Sequence, residues 1–172
     1  MFGRAVVERG LQVISGYARG VDMETHLGAL EAGGSTIIVL AEGIKHFRRK
    51  RAFAGLRFDE SNVLAVSQFA PGQPWSAGGA MTRNAVIAGL AQAMLVVEAR
   101  DKGGTLNAGL QAIEMGRPVY AIAYADDPPA GNEILFGRGA RSLRSQNELL
   151  EALDALASAE EPHQLAFGEP LR

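Results

Sequence analysis

The sequence predicts an α/β fold, doubly wound, with a mainly parallel sheet covered by helices on both faces and its first strand missing. Three observations lead there. Short apolar runs rich in Val and Ile, bounded by Gly or Pro, recur between segments of helical periodicity. The runs are nearly continuous rather than alternating, as strands buried on both faces require. Gly10, Gly33-Gly34 and Gly116 stand where left-handed helix caps belong.

Taken in order, the strands are expected at 11–15, 36–41, 63–68, 94–99 and 119–123, five in all. Helices are expected at 23–32, 47–56, 83–92 and 105–115, each close to the length of a right-handed crossover. A helix at 146–157 closes the fold, and its stripe of Leu149, Leu150, Leu153 and Leu156 has the spacing of a core or subunit face. The chain opens on a helix at 2–9, whereas a doubly wound domain ordinarily opens on a strand and a phosphate-cradling turn. Residues 1–158 are therefore read as one core domain. Residues 159–172, with weak periodicity, are read as a mobile tail.

Composition narrows the function classes. At 172 residues, 47% hydrophobic and 21% charged, the chain is long enough to bury one sizeable core. It has no cysteine, which excludes a disulfide scaffold, a thiolate metal site and a cysteine nucleophile, and the cytoplasm is the expected compartment. No apolar run approaches the ~20 residues that span a bilayer, and the amino terminus lacks a signal-peptide core, so no membrane association is expected. The net charge of −2 argues against nucleic acid until its distribution is considered. Residues 45–51 hold five of the 17 basic residues and no acidic one, leaving 12 basic against 19 acidic, or −7, elsewhere. The molecule is polarised.

Ligands of parallel sheets collect at the carboxyl ends of strands, where glycine-rich turns and helix N-termini present free N–H groups to anions. Four segments meet that rule: Ser15-Gly16-Tyr17-Ala18-Arg19-Gly20-Val21-Asp22, Thr82-Arg83-Asn84 opening a helix, Arg100 to Thr105 with Gly103-Gly104-Thr105 at its end, and Gly131-Asn132. All are expected to converge on one sheet edge.

Residues 13–30, VISGYARGVDMETHLGAL, resemble the S-G-x-A-x-G-x-D-x-x-x-H-x-G-A-L signature of the DprA/Smf DNA-processing family, which has a Rossmann-like core. Gly34 to Leu40 resembles its G-x-T-I-x-V-L strand, and Arg83 to Leu90 its R-N-R-I-I-A-G-L segment. Gly104-Thr105-Leu106 with Ala112, Glu114, Gly116 and Arg117 follows, then Gly131-Asn132 through Gly139-Ala140, in register over roughly residues 4–141. The resemblance implies a non-enzymatic protein that binds single-stranded DNA in DNA processing and uptake, helps load the recombinase RecA, forms a homodimer and needs no cofactor or metal. The departures are specific. No residue matches the arginine of the family's first-strand G-S-R turn. Its F-P-x-R-N-R segment reads Ala80-Met81-Thr82-Arg83-Asn84-Ala85, and the basic run replaces its Y-P-x-x-N segment. The flanking domains of many members have no counterpart.

The expected DNA or phosphate contacts are Arg83, Asn84, Arg19, Gly20, Gly103, Gly104, Thr105, Ser15 and Gly16. Arg83 leads, as an arginine at a helix start adds a bidentate fork to free N–H groups. Arg19 is as well read as an ion-pair partner of Asp22. Lys45, Arg48, Arg49, Lys50 and Arg51 form an auxiliary patch. Phe47 and Phe53 within or beside it either stack on bases or pack inward. Asp22 and His26, one helical turn apart, are read as an N-cap aspartate and a packed histidine rather than an acid–base pair. Trp75 is read as folded onto the core. The rival function is a nucleotide-binding protein or sensor resembling the phosphoribohydrolases or molybdenum-cofactor carriers. The phosphoribohydrolase motif places a glutamate three residues beyond the threonine, where Ala108 stands here, and neither Glu98 nor Glu114 is expected at the edge.

Overall fold

The computed structural model describes residues 2–159. It opens with helix α1 (Phe2–Val7), strand β1 (Val13–Ser15), helix α2 (Val21–Glu31) and strand β2 (Thr36–Val39). Strand β3 (Val63–Val66), helix α3 (Ala77–Leu90), strand β4 (Met94–Val96) and helix α4 (Gly104–Glu114) follow. Strand β5 (Val119–Ile122), helix α5 (Ala130–Gly137), strand β6 (Arg141–Leu143) and helix α6 (Gln146–Ser158) complete the order. This is the expected α/β alternation with parallel strands.

The strands do not form one layer. β1, β2 and β3 pair in parallel in that order, and β4, β5 and β6 form a second parallel set, with no ladder between β1 and β4. The expected single five-stranded layer is corrected to two three-stranded halves. The break has a topological reason: in the doubly wound order the first strand is central, flanked by the second and fourth. β1 and β4 occupy the places on either side of that central position, so the gap lies in the middle of the sheet and not at its edge. β6 escaped the sequence reading because, of Arg141-Ser142-Leu143, only Leu143 is buried, and pairing with β5 alone makes it a strand.

Helices fall into two packed groups. α1 lies against α2 and touches α6, while α3 packs on α4 and α4 on α5. Right-handed crossovers moving in opposite directions from the gap put these groups on opposite faces. One apolar cluster gathers Val96, Val119, Ala121, Leu106 and Leu135. A second joins Tyr120, Leu143, Leu149 and Leu153 to Phe2, Val6 and Leu11, so part of the α6 leucine stripe is core. Gly10, Gly33 and Gly116 have φ of 71°, 76° and 70°, the left-handed caps expected.

Three helix expectations are corrected. α3 starts at Ala77 rather than 83, because Ser76 caps it by accepting from the Gly79 N–H at 2.9 Å. α5 was not foreseen. The helix expected at 47–56 is replaced by two single 3-10 turns, Ile44–His46 and Arg51–Phe53. There Arg48 donates to the carbonyls of Lys45 and Phe47 at 2.8 and 2.7 Å, and Arg49 to those of Phe53 and Leu56, so side chains take carbonyls a helix would need. The expected tail, apart from Ala159, lies outside the described residues.

The gap between the half-sheets is a cavity of about 670 Å³, bordered by Val13 to Ser15 on one side and Met94 to Val96 on the other.

Candidate nucleic-acid interface

The carboxyl end of β1 leads into a turn held from within. Asp22 accepts from the Ser15 hydroxyl at 2.8 Å and from the Ala18 N–H at 3.2 Å. The N-cap of α2 is Gly20, at φ 87°, which corrects the N-cap role expected of Asp22: it is the second helical residue. His26 packs as expected, fully buried, with Nε2 2.6 Å from the Gly16 carbonyl and Nδ1 2.7 Å from the Thr36 hydroxyl. Burial pushes its pKa below the ordinary imidazole value. The neutral ring that results carries its proton on Nε2, donates to Gly16, and accepts from Thr36.

Arg83 is not at a helix start. It is the seventh residue of α3, only 8% exposed, and its Nη1 donates to the Val39 carbonyl at 2.7 Å. Its guanidinium lies under Gly16, where a Cβ would overlap it, and its Nε has no partner. Burial lowers its pKa, with Asp22 acting the other way. Asn84, equally buried, donates to the Gly104 carbonyl at 3.1 Å and so ties α3 to the start of α4. These two side chains join the turn after β1, the end of β2 and the turn after β4.

Gly103, at φ 126°, caps α4, and Gly104 and Thr105 are exposed in its first turn, where backbone N–H groups lack helical acceptors. Ser15, Gly16, Arg19, Arg83, Asn84, Gly104 and Thr105 line the mouth of the one central cavity. Of the four segments expected to converge, residues from three line this cavity, whereas Gly131 and Asn132 line neither it nor its neighbour. A neighbouring cavity of about 300 Å³ shares Gly104 and Thr105 and adds Gly103, Glu98, Arg100 and Lys102. Arg100 and Lys102, both exposed, were passed over individually in the sequence, though their place directly after a strand was signal enough. The expectation that Glu98 lies inside a strand is corrected: β4 ends at Val96, and Glu98 is exposed on the rim.

Gly131 and Asn132 are structural. Asn132, fully buried, accepts from the Ala99 N–H at 2.8 Å and donates to the Val97 and Ile122 carbonyls at 3.0 and 2.8 Å. A Cβ on Gly131 would overlap the Arg100 carbonyl.

The basic run meets this rim at Tyr17. Lys50 donates to the Tyr17 carbonyl and lies 4.0 Å over its ring, and the Lys50 N–H donates to the Tyr17 hydroxyl at 3.1 Å. Burial lowers the Lys50 pKa and raises that of Tyr17. Phe53 is fully buried, stacked on Tyr17 at 5.9 Å, and Phe47 packs on the same ring at 5.6 Å. The inward packing of these rings is thus the correct reading. Lys45, Arg48, Arg49 and Arg51 stay exposed. Trp75 is corrected too: it is 61% exposed, just ahead of α3, rather than folded inward. Among the described residues there is no cluster of metal-ligating side chains and no helix long and apolar enough to cross a membrane.

Comparison with known proteins agrees with this architecture. The chain is 34% identical to Protein Smf of Escherichia coli over 89% of its own length and 42% of that protein's. It is 32% identical to DNA processing protein DprA of Streptococcus pneumoniae, covering 84% of itself and 52% of the relative. The chain thus spans about half the length of the curated relatives it matches. The X-ray structure of DprA from Streptococcus pneumoniae superposes with a TM-score of 0.70 at 30% identity, over 87% of this chain and 54% of that one. A structure of DNA processing protein A from Helicobacter pylori, described for its single-stranded-DNA-binding mode, gives 0.72 at 18% identity over 88% and 70%. The molybdenum cofactor binding protein of Rippkaea orientalis gives 0.60 at 17% over 90% and 84%, a likeness of fold alone. The family model for DNA recombination-mediator protein A matches residues 1–154, and with that match the chain belongs to this DNA-processing family.

Proposed function

We propose that the chain binds single-stranded DNA across the carboxyl edge of its strands and breaks no bond in doing so. One observation carries the reading: the turns after β1 and after β4 meet the middle of α3 at one cavity mouth, and the basic run adjoins it through Tyr17 and Lys50. The phosphates meet Arg19, Arg100, Lys102 and the first-turn N–H groups of α4, then the exposed cations of residues 45–51. Arg83 and Asn84 act beneath them, holding the turns in register. Trp75 offers the open ring on which a base stacks. Family membership supports the same role, with DNA uptake in the cytoplasm, a second copy of the chain and RecA as its setting.

The test is a titration with fluorescent oligo-dT and with AMP at two salt concentrations. Salt-sensitive binding of oligo-dT that quenches Trp75, the chain's sole tryptophan, supports the proposal. Tight AMP binding without DNA binding, or release of adenine that Glu98→Gln abolishes, replaces it with a nucleotide enzyme. Chemical cross-linking with and without RecA tests the partners.

A further inference from the structure

The turn that follows β4 mixes charges in a way that phosphate binding alone does not explain. The cavity of about 300 Å³ is bordered by Glu98, Arg100, Lys102, Gly103, Gly104 and Thr105, all from that turn and the first residues of α4. Glu98 is the acidic residue among them. It is exposed and, among the described residues, forms no ion pair, although two cations border the same cavity. The backbone that carries it is pinned. Asn132 donates to the Val97 carbonyl at 3.0 Å and accepts from the Ala99 N–H at 2.8 Å, and the Gly131 N–H donates to the Ala99 carbonyl at 3.0 Å. Both chain neighbours of Glu98 are thus tied to α5, and the residue cannot withdraw from the cavity by a shift of the loop.

A carboxylate held beside a phosphate track repels the strand unless the ligand supplies it with a hydrogen-bond donor. Phosphates and the sugars inside a DNA strand supply none, so the donor must come from a base. Building on the reading of the chain as a single-stranded-DNA-binding protein, we infer that Glu98 is a base-reading residue and that the base it selects is guanine. The guanine N1–H and N2–H groups stand side by side on the Watson–Crick edge and match the two oxygens of one carboxylate. Adenine and cytosine set a single amino group beside an acceptor, and thymine sets one N–H between two carbonyls, so each turns a repelling oxygen or nitrogen toward Glu98 as well. Pairing occupies this edge in a duplex, which restricts the contact to single strands. The phosphates flanking the base fall to Arg100, Lys102 and the first-turn N–H groups of α4. A cavity of about 300 Å³ is at the small end of ligand sites, a size suited to one base.

The test is anisotropy competition on the full chain, with labelled oligo-dT displaced by unlabelled strands that differ only at their central base. Guanine in place of thymine is expected to tighten binding about tenfold, the size of one bidentate base contact. Hypoxanthine, which keeps N1–H and lacks the N2 amino group, recovers only part of that gain. Glu98→Gln has two effects of opposite sign: the all-thymine strand binds more tightly because the repulsion is gone, and the guanine advantage shrinks to about twofold or less. A glutamate that only shaped the turn would shift every strand alike. Equal binding of guanine and thymine strands overturns the inference and leaves the DNA-binding reading standing, whereas failure to bind any oligonucleotide overturns both. A preference for oligo-rU over oligo-dT that Glu98→Gln removes also overturns it, by assigning the carboxylate to the ribose 2′-hydroxyl. The guanine and hypoxanthine comparison uses the unaltered chain, so it holds even if the variant fails to fold.

Discussion

Arg83 lies directly beneath Gly16, its guanidinium filling the space a side chain at position 16 would take while Nη1 reaches the Val39 carbonyl at 2.7 Å. The glycine is needed here for this close approach and not for an unusual backbone angle. Gly16→Ala is therefore expected to push Arg83 off its acceptor and to destabilise the protein by roughly 1–3 kcal/mol. Arg83→Ala, which removes the same bond and opens a hole, falls in the same range. Thermal unfolding of both variants checks this, and unchanged midpoints would show that the guanidinium is held elsewhere.

Acid lowers stability through His26. Its folded pKa lies below the unfolded value of about 6.5, so below that pH the unfolded chain binds a proton the native ring refuses. Stability is then complete above about pH 6.5 and declines as pH falls through that value toward the folded pKa. Urea midpoints measured between pH 7.5 and 5 should fall, and His26→Gln should flatten that slope whatever it does to stability at pH 7.5.

Removing charge from the rim should act on binding alone. Arg19, Arg100 and Lys102 are exposed, so their replacement by alanine is expected to leave the unfolding midpoint within about 0.5 kcal/mol of its original value. Each phosphate that is no longer neutralised should reduce the slope of log affinity against log salt by roughly 0.7 for a single strand. Oligo-dT titrations from low to moderate salt measure it. An unaltered slope in the triple variant would place the DNA elsewhere.

Asn132 joins β4, β5 and the start of α5 through three hydrogen bonds made in full burial. Asn132→Ala leaves one N–H and two carbonyls without partners. A loss of roughly 3 kcal/mol follows, read as a lowered denaturant midpoint. Oligo-dT affinity of the fraction still folded should change little, because Asn132 does not touch the cavity mouth.

Much of this was legible in the residues. The apolar runs placed five strands to within a few positions, since a strand buried on both faces admits few polar residues. The glycine-rich turns at Ser15–Gly20 and Gly103–Thr105 were recognisable because local backbone demands select glycine. What local sequence could not hold was anything settled by neighbours distant in the chain. Arg83 reads as a surface cation until packing puts Gly16 over it. The residues at 47–56 read as a helix until Tyr17 draws Phe47 and Phe53 to its ring. Trp75 reads as core until the loop carries it into solvent. The central gap emerges only in three dimensions, because the winding reverses between β1 and β4 and no ladder joins their inner edges. Composition and period locate the buried strands and most helices, but β6, α5 and the turns at 44–53, like the face of a side chain that meets water, are decided by the elements that close over them.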